Sequence, residues 1–252
     1  SDGSSVLNSG IFRTQGTVTM NIRGGSIFSA PLQINTGTTT LIDQNSPYIA
    51  RIYGSLTIDN GATLFCGASL SFSLEAFGAV INNGTISGTN SDFVLKGPSL
   101  VNSNSISCDM RMDSVSVISG AGSFTGSVMS IGASGNISCL SNITFSPINS
   151  FTLNTGGTLN PNTRNVTFSN GTIAFLTGST VTGSGLVQTQ GNVTLNLRSG
   201  SAFNAPLKVL SGLTNATEYS SPYRGKLFGA LTIDAGASIA VGTSNSYSLE
   251  VY

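Results

Sequence analysis

The sequence predicts an all-β chain wound as a right-handed parallel β-helix of about 22 residues per coil, a period typical of solenoids. Three observations carry this. Apolar residues alternate with Thr, Asn or Asp in short runs, as in Val18, Met20 and Ile22 or Val193, Leu195 and Leu197, which is the period of a half-buried strand. Asn-Gly and Gly-rich breaks separate runs of three to six residues, and no sustained apolar spacing of three and four marks a helix. The phrase Ile58-Asp59-Asn60-Gly61-Ala62 returns one such period later as Ile81-Asn82-Asn83-Gly84-Thr85, and again as Phe168-Ser169-Asn170-Gly171-Thr172.

Taken in order, Val18 to Ile22 reads as a strand by its alternation. Residues 38–50 carry Pro47 and Tyr48 and match their repeat partner, residues 213–225, least well, so they read as a loop leaving the coils. Leu56 and Ile58 belong to the next clear strand, closed by the corner at Asn60-Gly61, where Asn and Gly supply left-handed backbone. The run at 108–113 alternates Met with charge, and Val193 to Leu197 and Leu231 to Ile233 repeat the earlier strands. Stacked at about 4.8 Å, eight coils would advance a rod by roughly 38 Å.

The rhythm is nested in a longer one. Sliding the chain along itself until Gly3 meets Gly178 aligns Pro31 with Pro206, Pro47 with Pro222, Asp59 with Asp234 and Glu75 with Glu250, without a gap. From Gly3 to Phe77, 36 of 75 pairs are identical. We therefore read 1–252 as one continuous β-helix, with 3–177 as a first tandem unit and 178–252 as the start of a second, cut inside the unit. Core candidates exchange conservatively between copies: Met20 with Leu195, Ile22 with Leu197, Ile34 with Val209, Leu64 with Ile239 and Tyr53 with Phe228.

Composition narrows the function. Hydrophobic residues make up 39% and charged residues 8%, too apolar for a disordered chain and too evenly spread for a membrane span. Ten basic residues balance ten acidic ones with no basic cluster to follow a phosphate backbone, so nucleic acid is not an expected partner. The polar surface is built from 68 Ser or Thr and 23 Asn. Cys66, Cys108 and Cys139 are too few and scattered for a disulfide framework or CxxC metal site, and at most one pair can bridge. Cys66 is answered by Val241, so its position asks only for a small apolar side chain. No signal peptide opens the chain, which is then either a mature fragment or not exported by that route.

No His occurs, which removes Ser-His-Asp and Cys-His nucleophiles and the usual zinc ligand sets. Cofactor-binding and metal sites are not expected. In Cys108-Asp109-Met110-Arg111-Met112-Asp113, strand alternation places Asp109, Arg111 and Asp113 on one face and both Met residues on the other. Asp109 and Asp113 would stand roughly 13 Å apart, beyond the usual spacing of paired glycosidase carboxylates. The row reads as a solvated ion-pair stripe or, with acids from neighbouring coils, as a calcium or substrate site. Asp59 and Asp234 read as turn caps or ligands. Tyr48 and Tyr223, in matching positions, are candidate groove residues. Sequons at Asn83, Asn136, Asn142, Asn165, Asn170, Asn192 and Asn215 are about as many as chance supplies and only permit glycosylation. Thr17-Val18-Thr19 and Thr38-Thr39-Thr40 have the form of a water-ordering face, but Asn192, Leu213 and Asn215 interrupt it in the second copy.

The phrases GSLTIDNGATLFCG, GALTIDAGASIAVG and VTGSGLVQTQGNVTLNL resemble those of large secreted β-helix repeat proteins, the adhesin and autotransporter-passenger type of surface filament. The resemblance implies an extracellular or cell-surface rod for adhesion, scaffolding or a filament wall, self-assembling with copies of itself or adjacent repeats. The marks of pectin-degrading β-helix enzymes are missing, both the paired Asp with a His-containing turn and the clustered calcium-binding acids. The expectation is a non-enzymatic structural and interaction protein, with surface glycans as further partners. The alternative is a carbohydrate-binding or polysaccharide-degrading β-helix whose groove lies at Asp109, Arg111 and Asp113 or at Tyr48 and Tyr223.

Overall fold

The computed structural model describes residues 4–7, 9–23, 25–42, 48–67, 72–89, 91–218, 224–242 and 247–252. All regular structure among them is strand, so no helix is long and apolar enough to cross a membrane. The chain divides into two compact units, residues 1–126 and 127–252, and each is a parallel β-solenoid.

In the first unit each coil contributes three strands. Phe12–Thr14, Leu32–Ile34, Leu56–Ile58, Val80–Asn82, Ser99–Asn102 and Val115–Ser119 pair in that order, all parallel. A second stack runs from Ser5–Val6 through Ile27–Phe28, Ile49–Ile52, Ser73–Ala76 and Asp92–Leu95 to Asp109–Met112. A third runs from Val18–Asn21 through Thr38–Ile42, Thr63–Phe65, Thr85–Ser87 and Ser105–Ile106 to Ser123–Phe124. Coil length is not constant. The coils from Leu32 to Leu56 and from Leu56 to Val80 are equal, whereas the coil from Val80 to Leu100 is shorter and that from Leu100 to Ile118 shorter again.

Alternation decides what enters the core. Leu32, Leu56, Val80, Leu100 and Ile118 form one column, none more than 1% exposed. The neighbouring column starts as Ile34 and Ile58 and then turns polar at Asn82 and Asn102, both fully buried. Buried amides need partners. Asn82 Nδ2 donates to Asn102 Oδ1 at 2.8 Å and to the Ser105 carbonyl at 2.9 Å, and Asn102 Nδ2 donates to the Ser123 carbonyl at 3.0 Å. These amides tie the end of one strand stack to the start of the next.

The second unit is more regular. Asn136–Cys139, Thr158–Asn160, Thr180–Val181, Ala202–Phe203, Arg224–Leu227 and Ser248–Val251 stack in that order. The coils from Asn136 to Thr158, Thr158 to Thr180 and Thr180 to Ala202 are equal, and the next two, from Phe203 to Leu227 and from Arg224 to Ser248, are slightly longer. Val166–Phe175 and Val187–Leu197 run through the corner that elsewhere splits two strands. The register slips between Ser169 and Gly171, where Asn170 and Gly171 take φ of 65° and 79°. Asn170 is left unpaired opposite Gly191 and Asn192, and left-handed backbone there turns the strand without ending it. Phe145, Phe151, Phe168, Phe175 and Phe203 fill the interior, all fully buried, with successive ring centroids 4.8–6.4 Å apart.

Interior detail repeats with the sequence. Thr14 and Thr39 share a buried hydroxyl hydrogen bond of 2.6 Å, and their partners Thr189 and Thr214 share one of 2.8 Å. Gly61 and Gly236 hold φ of 77° and 81° at the same corner.

Several expectations change. Residues 38–50 are not one loop: Thr38–Ile42 and Ile49–Ile52 are strands in register with their neighbours, and Ala50 is fully buried. Residues 43–47 between them lie outside the described residues. Tyr53 and Phe228 are not core: they are 42% and 46% exposed, because each directly follows its strand and points outward. Leu56 and Ile58 are fully buried, but Ile233 is 44% exposed, because among the described residues Leu231–Ile233 pairs on one side only.

Candidate functional site

Asp109, Arg111 and Asp113 lie on or just after the strand Asp109–Met112, whose Met110 and Met112 point into the core. Arg111 Nε donates to Asp113 Oδ2 at 2.7 Å. The register adds a residue that sequence reading missed: Asp92 lies directly beside Asp109, and Val94 beside Arg111. The coil between these strands is shorter than the average period, so a search at that period passes over it. Aligning Asp92-Phe93-Val94-Leu95 with Asp109-Met110-Arg111-Met112 would have found it.

Burial pushes the Asp92 carboxyl up. Arg111 pulls it down, Asp109 and Asp113 push it up again, and the net result lies above its ordinary value of 3.8. A raised pKa makes folding favour the protonated form. Its stability increment is complete below about pH 3.8 and is lost as pH rises through the folded value. Asp92→Asn is therefore expected to raise the urea midpoint at pH 7 and leave it unchanged at pH 3. Among the described residues, no three Asp, Glu or Cys side chains come together as a metal ion would require.

A second cluster lies on the same strand stack; of its residues the sequence offered only Glu75, as a repeated position, and Tyr53, as a core candidate. Arg51 and Glu75 are paired in register. Arg51 Nε donates to Glu75 Oε2 at 2.8 Å, and Lys96 Nζ reaches Glu75 Oε1 at 2.7 Å. Two residues farther along the chain from Arg51 and Glu75, Tyr53 and Phe77 stack with centroids 4.7 Å apart and planes at 17°, and Lys96 Nζ sits 5.4 Å over the Phe77 ring. The second copy rebuilds the ring stack and keeps an acid beside a base, with Arg224 in the ion pair where the first copy has Ile49. Phe228 and Tyr252 stack at 5.2 Å and 17°, Lys226 lies beside Glu250, and Arg224 Nη1 is 3.7 Å from Glu250 Oε1.

Burial pushes the Glu75 carboxyl up, but hydrogen bonds from Lys96 and Arg51 outweigh it and hold it below its ordinary value of 4.5. Its ionised form then stabilises the fold above about pH 4.5, and that increment is lost as pH falls through the lowered value. Glu75→Gln is expected to lower the urea midpoint at pH 7, with the gap from wild type closing by pH 3.

The remaining candidates fall elsewhere. Tyr48 is 39% exposed with φ of 58°, and its carbonyl accepts from Ser73 N. It precedes Ile49, which lies three strand steps from Asp109 through Ser73 and Asp92, or about 14 Å. Tyr48 and the acidic row are thus not brought together. Tyr223 lies outside the described residues. Asp59 Oδ2 accepts from Gln33 Nε2 at 2.7 Å, and Gln33 Oε1 accepts from Arg13 Nε at 2.9 Å. Asp234 is held by Lys208 at 3.0 Å.

Of the sequon residues, Asn136, Asn142, Asn170 and Asn192 are exposed, while Asn83, Asn165 and Asn215 are half-buried. Asn170 Oδ1 accepts from Asn192 N, and Asn142 Oδ1 from Asn165 N. All three cysteines are free and buried. Cys66 and Cys108 approach across Gly88, whose missing side chain would otherwise meet both Cβ atoms at 3.3–3.4 Å. The hydrogen bond to Cys108, then burial, raise the Cys66 thiol, and burial alone pushes Cys139 up to about 12. The two thiols thus meet across Gly88 as free cysteines and are not bridged.

Fold and clusters together define, in each unit, a parallel β-solenoid whose outer surface carries one copy of an aromatic stack beside an acid and a base. No protein family, curated protein or solved structure matches the chain.

Proposed function

We propose that this chain is a structural and interaction protein of an extracellular or cell-surface filament, stalk or adhesin, lengthened by tandem β-helix units. One observation supports this above the rest: the offset that sets Gly3 on Gly178 reproduces detail as well as sequence. It maps the buried pair Thr14 and Thr39 onto Thr189 and Thr214, and the stack of Tyr53 and Phe77 onto Phe228 and Tyr252. Repetition adds length and surface, which a filament needs, whereas one catalytic centre needs no copy. The partners in this reading are other copies of the chain or adjacent repeats.

Electron microscopy of the native material tests it. The expected result is filaments with an axial period near the roughly 38 Å that eight stacked coils occupy. Compact particles without periodicity would overturn it.

A further inference from the structure

The geometry points to a saccharide-stacking site at the first ring of each aromatic pair, Tyr53 in one copy and Phe228 in the other. This inference does not require the filament reading, and it moves the carbohydrate hypothesis away from the acidic row and from Tyr48 and Tyr223.

The warrant begins with what the two copies keep. Tyr53 is answered by Phe228 and Phe77 by Tyr252, so the rings persist while the hydroxyl changes place. The shared requirement is an aromatic face. Arg51 is answered by Lys226, Glu75 by Glu250 and Gly54 by Gly229, so a base, an acid and a corner glycine accompany the rings both times. Exposure argues against a purely internal role. Tyr53 and Phe228 are 42% and 46% exposed, in a chain whose other large aromatics are mostly buried.

The open face can be located. Phe77 stacks on one side of Tyr53, and Lys96 sits over Phe77. On the other side the coil is reached through the hydrogen bond from Tyr53 N to the Phe28 carbonyl, so the residue beneath the ring is Ser29. In the second copy Phe228 N bonds the Phe203 carbonyl, and the residue beneath is the exposed Asn204. Ser and Asn are too small to cover a ring, and both can hydrogen-bond. Each copy therefore presents one aromatic face over a small polar floor, with a base and an acid alongside.

That combination suits a sugar better than a peptide or a nucleic acid. The C–H face of a pyranose lies against the electron-rich face of an aromatic ring. Its hydroxyls match the donors and acceptors of a base, a carboxylate, and Ser or Asn. Arg51 and Lys96 are both engaged in ion pairs with Glu75, and the chain as a whole is neutral, so the bases are held internally and are not offered free to an anionic ligand.

Affinity electrophoresis tests the proposal, with the protein run through gels containing a neutral β-glucan, a neutral galactomannan or alginate. Retardation by at least one neutral polysaccharide is expected. Tyr53→Ala with Phe228→Ala should weaken it about tenfold, while Tyr53→Phe with Phe228→Tyr should leave it unchanged. Because truncation to Ala also removes the ring stacking on Phe77 and Tyr252, Tyr53→Leu with Phe228→Leu, which keeps apolar bulk, is the second variant. With wild-type circular dichroism and melting temperature, it should lose binding as the Ala pair does. No retardation by any polymer would overturn the proposal. So would wild-type affinity in either the Ala or the Leu pair, or retardation by alginate alone that disappears in high salt.

Discussion

Phe168→Ala is expected to destabilise the second unit by about 3–5 kcal/mol, the cost of removing a large aromatic from a core that cannot collapse around the gap. Phe168 is fully buried, with its ring 5.7 Å from Phe145, 4.8 Å from Phe151 and 6.4 Å from Phe175. Its backbone is held in the long strand Val166–Phe175, paired on both sides with Phe145 and Thr189. Neighbouring coils therefore cannot move in to fill the space. Phe168→Leu, which keeps most of the volume, should cost much less. Urea denaturation followed by circular dichroism checks both, and near-wild-type stability for Phe168→Ala would show that the cluster is not closely packed.

The second large effect is steric. Gly78→Ala should destabilise the first unit by about 3 kcal/mol or more, because the new Cβ would stand 2.2 Å from the Gly54 carbonyl oxygen and 2.5 Å from its carbon. These are backbone atoms of the stacked coil and cannot swing aside. The same corner recurs at Gly54, against Ala30, and at Gly97, against Gly78. Gly61→Ala is the contrast: it has φ of 77° but no atom within 4 Å of the added Cβ, so its cost is backbone strain alone, about 1 kcal/mol. Thermal melts of the two variants separate the mechanisms. Equal losses would mean that conformation, and not coil-to-coil contact, sets the glycine requirement.

Much of the architecture was legible without coordinates because its signals are local. Alternation of Leu56 with Ile58, or of Met110 with Met112, depends on the two-residue strand repeat and nothing farther away. The corner glycines Gly61 and Gly236 were legible for the same reason. Residues 38–50 misled because Pro47 and a poor match between copies resemble a loop. The strands on either side are held by stacking on their neighbours, for which the exact residues matter little. Tyr53 was misread because conservative exchange between copies looks the same for a core residue and for a surface stack.

The sequence by itself determined the all-β class, the parallel coils, the inward face of most strands and the long tandem duplication. Only the tertiary structure decided which residues become neighbours across coils. Asp92 meets Asp109 across a short coil, Arg51 meets Glu75 across a long one, and Cys66 approaches Cys108 across the gap at Gly88. The physical reason is that side-chain direction is set within a strand, whereas adjacency in a solenoid is set by the length of each intervening coil. Those lengths differ within the first unit, the coil from Asp92 to Asp109 being much shorter than the one from Leu32 to Leu56, so the surface clusters emerge only when the register is known.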